Sequence, residues 1–130
     1  MCANNKISHI ADGFIRRLLL FRVYHNCKFF VPSFTFAATA EVVAWMGATA
    51  IFIDSLPDTF NMDPESLNQG ISLAKKSGLN PCGIIPVDLF GQPADYEKIE
   101  AIANEHNLWI MADGAQSFGA RYQEIGRASC

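Results

Sequence analysis

Cysteine is sparse in this 130-residue chain, and Cys2, Cys27, Cys82 and Cys130 form no C-x-x-C pair. That scatter argues against a zinc site and reads as reduced thiols in a cytoplasmic protein. The three histidines, His9, His25 and His106, are equally isolated, so no metal-ligand or nucleophile–histidine pattern emerges. Charge is low as well: 18% of residues are charged and the net charge is −3. Nothing here favours nucleic acid or an anionic membrane as a general partner. Long apolar runs are missing too. Leu18–Phe21 is cut off at Arg22, far short of the roughly 18 residues of a membrane span and too short for a signal-peptide core. Neither G-x-G-x-x-G nor G-x-x-x-x-G-K-[ST] occurs, which removes the common phosphate-cradling loops.

What is present is a packed-core composition, half of it hydrophobic, in a length that suits one domain or a piece of a larger one. The stretch Leu108–Ala120 stands out. Apolar residues run from Leu108 to Ala112, the length of a buried strand, and stop at Asp113. Small residues then surround Gln116 and Ser117. In open α/β sheets ligands bind at the carboxyl ends of strands, and a carboxylate opening into a small-residue turn suits such a place. Taken alone, Asp113 would equally serve as a turn cap.

The rest of the chain alternates. Phe29–Val31 reads as the end of a strand stopped by Pro32, followed by a loop and a helix over 37–46 with Val42, Val43 and Met46 on one face. Gly47 is placed to end that helix. Ala50–Ile53 is a short strand. Asp63 caps a second helix with Pro64 at its first position, and Lys75 and Lys76 complement the negative end of its dipole. Gly83–Val87 is the next strand, Asp88–Pro93 a loop, and Asp95 the cap of a helix reaching about Asn104 with Tyr96, Ile99 and Ile102 inward. Strands alternating with helices over short connections predict a parallel sheet covered by helices, an α/β fold. Residues 1–28 are the least coherent. Phe14–Tyr24 could form a short basic helix of poor amphipathicity, read as functionally silent.

Three stretches, Val31–Ala40, Val87–Asp95 and Ala112–Ala120, stand in the order and spacing of motifs in the DegT/DnrJ/StrS family. This chain resembles those pyridoxal-phosphate-dependent aminotransferases of nucleotide-linked keto-sugars over about residues 29–122. The resemblance implies part of the mostly parallel α/β/α large domain of aspartate-aminotransferase-type (fold type I) enzymes. It divides the chain into a non-family segment 1–28, the domain portion 29–122 and a tail 123–130. It also implies pyridoxal 5'-phosphate as cofactor, held by Asp113 at the pyridine nitrogen, Gln116 near the ring and its phenolic oxygen, and Phe36 stacked on the ring face. A carboxylate beside the ring nitrogen raises its proton affinity, and a protonated ring is the better electron sink. Without the neighbouring motifs Phe36 would read as a core aromatic and Gln116 as a turn residue. Where the family carries His in a V-H-L-Y-G stretch, this chain has Asp88, followed by Leu89 and Phe90.

Two family features have no counterpart. The G-T-x-A-L-like turn that would hold the cofactor phosphate at a helix N-terminus is not found ahead of the first motif, Asp12–Gly13 being the nearest candidate. The S-F-x-x-x-K segment bearing the Schiff-base lysine is not reached, and Lys6, Lys28, Lys75, Lys76 and Lys98 are misplaced to replace it. The expectation is therefore a fragment, without catalysis of its own. The full enzyme would be a cytoplasmic homodimer using an amino-acid donor, glutamate or glutamine, on a nucleotide-linked sugar, with a preference for UDP-sugars of surface polysaccharide. The competing readings are a small α/β module binding a nucleotide or phosphate, and a nonfunctional truncated product.

Overall fold

Hydrophobic residues at alternating positions of the strands build two cores, one on each face of a five-stranded parallel sheet. The computed structural model describes residues 7–9, 26–117, 121–122 and 125–126. Its strands are β1 (Ile7–His9), β2 (Cys27–Pro32), β3 (Thr49–Ile53), β4 (Asn80–Ile84) and β5 (Trp109–Ala112), and the sheet order is β1-β5-β4-β2-β3. Every pairing in the sheet is parallel. A short antiparallel pair, β6 (Arg121–Tyr122) and β7 (Ile125–Gly126), follows.

Among the described residues three α-helices supply the layers: α1 (Ala38–Trp45), α2 (Pro64–Lys76) and α3 (Tyr96–His106). Residues Leu67, Ile71 and Ala74 of α2 and Ile99 and Ala103 of α3 pack on the side of Phe30, Ile53, Ile84 and Ile110. Val43 of α1 packs on the other side with Phe29, Val31, Ile85 and Met111. Adjacent residues such as Phe29 and Phe30 thus serve opposite cores, as the period-2 pleat requires. The expected α/β fold with helices on both faces is what forms.

The helix caps follow their residue types. Asp63 accepts from the Glu65 backbone N–H at 3.0 Å and Asp95 from that of Lys98 at 3.3 Å, each satisfying a donor that the first turn leaves open. A hydrogen bond from the Lys98 ammonium holds the Asp95 carboxyl below the ordinary carboxylate range.

Element boundaries differ from expectation in three places. Strand β2 takes in Pro32 and pairs it with Ile53 at the strand's last position, where proline is tolerated. Strand β4 begins at Asn80 instead of Gly83, because pairing with β2 overrides the turn-like composition of Asn80–Pro81. It ends before Pro86. Residues 7–9, within the segment left unassigned, form an edge strand on β5. The helix expected over 14–24 lies outside the described residues, as do most of the tail 123–130 and Gly119–Ala120.

The reading of reduced thiols is corrected: Cys27 and Cys82 form a disulfide, with Cα atoms 5.5 Å apart. Its basis is the register of β2 and β4. Cys27 aligns with Asn80, and Cys82, two residues on, shares that face by the period-2 pleat and lies against the core that holds Cys27, Phe29 and Val31. A bulge follows: Lys28 aligns with Pro81 but Phe29 with Gly83, so Cys82 is the extra residue. Sequence spacing could not show this, since 55 residues separate the two cysteines. Cysteine scatter accordingly says nothing for a reducing compartment. Next to the bulge, Gly83 lies beneath two rings. A Cβ there would meet Trp109 Cε2 at 2.9 Å and Phe29 Cε1 at 3.0 Å. Those rings stand edge-on with centroids 5.1 Å apart, a geometry their quadrupoles favour.

Two outcomes are expected. Gly83→Ala should lower unfolding free energy by about 1–3 kcal/mol through overpacking, seen as a lower urea midpoint; an unchanged midpoint would mean that the rings yield freely. In non-reducing mass spectrometry the chain should be two hydrogens lighter than its reduced form. Reduction should then cost on the order of 2–4 kcal/mol, the usual value of a disulfide closing a long loop, whereas four freely titrating thiols in the native protein would refute the pairing.

Candidate cofactor site

Parallel strands all release their chains at one edge, and there the loop 33–37, the loop 54–62, the loop 85–93 and the turn 113–117 gather. The end of β5 is held by main-chain bonds. The Asp113 N–H donates to the Pro86 carbonyl at 2.8 Å, and the Asp88 N–H donates to the Asp113 carbonyl at 3.0 Å. This extends the β4–β5 pairing to a Val87–Asp113 bridge. The Asp113 main chain is thereby fixed before its side chain is considered.

The Asp113 side chain is only partly buried. Its Oδ2 accepts the Thr39 hydroxyl at 3.0 Å, and its Oδ1 accepts the Ala115 backbone N–H at 3.2 Å. Thr39 sits in the first turn of α1 and is buried to 5% exposure. Its hydroxyl also lies 3.4 Å from that of Thr35. Both of these donors are neutral, so they fix the carboxylate without cancelling its charge. Sequence reasoning did not single out Thr39. The available signal was a hydroxyl three residues beyond Phe36, on a helix turn whose other inward residues are apolar.

Gln116 is exposed on the same turn. Its Oε1 accepts the Phe90 backbone N–H at 2.8 Å. A backbone N–H can only donate, so this bond sets the orientation of the amide and directs its NH₂ donors elsewhere. Phe36, at the other side of the cluster, is 76% exposed. It is not a core aromatic. The structure thus brings Asp113 and Gln116 together on one turn, and joins Asp113 through Thr39 to the helix that begins just after Phe36. Asp88, by contrast, points away from solvent and is fully buried, while the Phe90 ring is 71% exposed.

Glycine is demanded at one place here. Gly91 has φ +81°, and a Cβ on it would lie 3.2 Å from the Gln116 carbonyl oxygen. The loop after β4 can close on the turn after β5 only with no side chain there. Among the described residues no group of three or more His, Cys, Asp or Glu side chains could hold a metal ion, and no helix is long and apolar enough to cross a membrane. The described lysines are engaged elsewhere: Lys28 with Thr49, Lys75 with His106 and Lys98 with Asp95, with Lys76 at the far end of α2.

An all-parallel sheet between helices, with its loops gathered around a strand-end aspartate, is the architecture of the large domain of fold-type-I pyridoxal-phosphate enzymes. Within that class the chain belongs to the DegT/DnrJ/EryC1/StrS aminotransferase family, whose family model matches residues 14–129. It is 44% identical over 99 residues to UDP-2-acetamido-2-deoxy-3-oxo-D-glucuronate aminotransferase of Pseudomonas aeruginosa, covering 76% of this chain and 25% of that protein. The crystal structure of a DegT DnrJ EryC1 StrS aminotransferase from Brucella abortus superposes with a TM-score of 0.78 at 47% identity, covering 91% of this chain and 31% of that one. NtdA from Bacillus subtilis, solved with bound cofactor PMP, gives a TM-score of 0.71 at 29% identity, over 83% and 23% of the two chains. The chain therefore spans about a quarter of the length of the curated relative it matches.

Thr39→Val keeps the shape but removes the donor to Asp113. It should destabilise the chain by about 1–3 kcal/mol, the range for a lost hydrogen bond to a charged group, with Thr39→Ser restoring most of the loss in the same urea titration. Equal midpoints for wild type and the valine variant would show that the bond contributes nothing.

Proposed function

We propose that this chain forms the cofactor-facing part of an aminotransferase that moves an amino group from an amino acid, glutamate being the expected donor, to a nucleotide-linked keto-sugar. Residues 29–122 are the large-domain portion in this reading. The observation behind it is the pairing on one turn of a partly exposed carboxylate, Asp113, fixed by neutral donors, with an amide, Gln116, whose carbonyl is already occupied.

The residues present fit pyridoxal 5'-phosphate. Asp113 offers an acceptor of full negative charge to a protonated ring nitrogen and so raises that nitrogen's proton affinity. Gln116, its Oε1 anchored by the Phe90 N–H, can offer its NH₂ donors, which suits the anionic phenolic oxygen. Phe36 presents an exposed ring for stacking on the cofactor's face. When bound, the cofactor supplies an electron sink for the carbanion formed in amino transfer. What this chain does is hold and orient the ring and keep a proton on its nitrogen. The lysine nucleophile that the resemblance calls for has no counterpart among the described residues, so amino transfer needs a lysine from elsewhere. A cytoplasmic homodimer, and a UDP-linked substrate serving surface polysaccharide, belong to the same proposal. The P. aeruginosa relative, whose name specifies a UDP-linked oxo-sugar acid, supports the substrate class.

The test is a titration of the 130-residue chain with pyridoxal phosphate, followed by its absorption band. A saturable shift is expected, with affinity about tenfold weaker or worse in Asp113→Asn, which removes the charge opposite the ring nitrogen. Borohydride reduction should leave no site-specific lysine adduct. Identical binding by wild type and Asp113→Asn would end the assignment of Asp113.

A further inference from the structure

Asp88 is the residue at which this chain departs from the pattern it otherwise resembles, and it is fully buried. Its carboxylate faces inward and gathers at least three donors among the described residues. Oδ1 accepts the Tyr96 hydroxyl at 2.7 Å and the Ala94 backbone N–H at 3.1 Å, and Oδ2 accepts the Ser117 hydroxyl at 2.8 Å. Tyr96 and Ser117 are themselves buried, at 2% exposure each. Tyr96 opens α3, and Ser117 closes the turn that carries Asp113 and Gln116. The Ser117 N–H donates to the Gly114 carbonyl at 3.0 Å, and its hydroxyl lies 3.3 Å from the same oxygen.

We propose that Asp88 is a positioning residue for the cofactor site, a buried carboxylate that clamps the Asp113–Ser117 turn to the first turn of α3 through the Ser117 hydroxyl. The Asp88 main chain is already paired with Asp113. Its side chain reaches the other end of the same turn. One residue therefore fixes both ends of a five-residue segment whose middle faces outward.

The loop after Asp88 completes the clamp. The Gly91 N–H donates to the Asp88 carbonyl at 3.3 Å, and Phe90, the donor to Gln116, has φ +56°. A bulky residue in the left-handed region is strained and persists only where its surroundings over-determine it. Those surroundings include Asn61, buried to 3% exposure, which accepts the Leu89 N–H and donates to the Gln92 and Pro93 carbonyls. Ordering the loop at that cost is explained if its product is a Phe90 N–H held at the Gln116 amide. A carboxylate suits the position because both oxygens accept, so two hydroxyls and an N–H are satisfied at once. The buried Ser117 hydroxyl supplies the donor that Oδ2 accepts.

The proposal rests on the cofactor reading only for what the turn is positioned to do; the clamp itself is tested without ligand. Asp88→Asn replaces one acceptor by a donor and could fail to fold, so Ser117→Ala, which removes the hydroxyl alone, is made beside it. Backbone amide hydrogen exchange and the Gln116 side-chain amide signals are followed by NMR in the full chain. In Ser117→Ala, exchange at the Phe90 and Ser117 N–H groups should rise about tenfold, as for one lost hydrogen bond. Core amides at Ile84 and Ile110 should keep their protection, and the Gln116 amide signals should move toward free-glutamine positions. Pyridoxal phosphate affinity should fall in parallel. Unchanged exchange at Phe90, or equal acceleration there and in the core, would overturn the clamp. Absence of cofactor binding by the wild-type chain with local exchange behaving as stated would instead remove the cofactor reading and leave the clamp standing.

Discussion

The reciprocal main-chain bonds between residues 86–88 and Asp113 are the constraint on which the rest of the site depends. In a parallel ladder each strand end is defined by its neighbour, and here two loops from adjacent strands are joined three residues past their last regular pair. Everything chemically distinctive follows from that junction. Asp113 leaves it with its side chain toward α1, where Thr39 waits, and Asp88 leaves it with its side chain toward α3. Slipping either strand by one residue would turn its aspartate to the opposite face and lose that side chain's hydrogen bonds.

The two aspartates show how environment divides identical side chains. Asp88 is enclosed by hydroxyl and amide donors and reaches no solvent. Asp113 has one donor on each oxygen and keeps an open side. The first arrangement suits structure and the second suits a ligand, because a carboxylate that still faces water can exchange that water for a cationic partner.

How far the sequence could be read follows the range of the forces involved. Helices α2 and α3 were legible because Asp63, Pro64 and Asp95 act on the next turn, and the inward faces recur at helical spacing. Strand β5 and the strand-end position of Asp113 were legible because an apolar run that stops at a carboxylate is a local signal. The proposed site residues Phe36, Asp113 and Gln116 came from motif resemblance, and the structure makes two of them, Asp113 and Gln116, neighbours on one turn. The start of β4, the Cys27–Cys82 disulfide and the roles of Thr39, Asn61 and Asp88 were not legible. Each depends on contacts between residues far apart in the chain: 55 residues for the disulfide and 74 for Thr39 with Asp113. The bulge at Cys82 is the clearest case. A one-residue irregularity in pairing sets Gly83 instead of Cys82 opposite Phe29 and leaves no trace in the sequence around it.

The distribution of exposed aromatic surface completes the argument. Around Gly83 the sheet is filled closely enough that a Cβ would press on two rings, yet Phe34, Phe36, Phe60 and Phe90 stand open around the carboxyl edge, as Trp45 and Phe52 do elsewhere. Phe34 and Phe60 have ring centroids 5.4 Å apart, and Phe60 and Phe90 6.3 Å apart. Phe60 shares with Phe90 a positive φ, +60°. Hydrophobic burial would draw such rings inward if the backbone were free to turn. Here the backbone is held by Asn61 and by the bonds of residues 56–61, so the loops are ordered at the expense of exposing apolar area. The exposure of these rings is thus set by the backbone that carries them, and its local cost is met by the hydrogen bonds beneath.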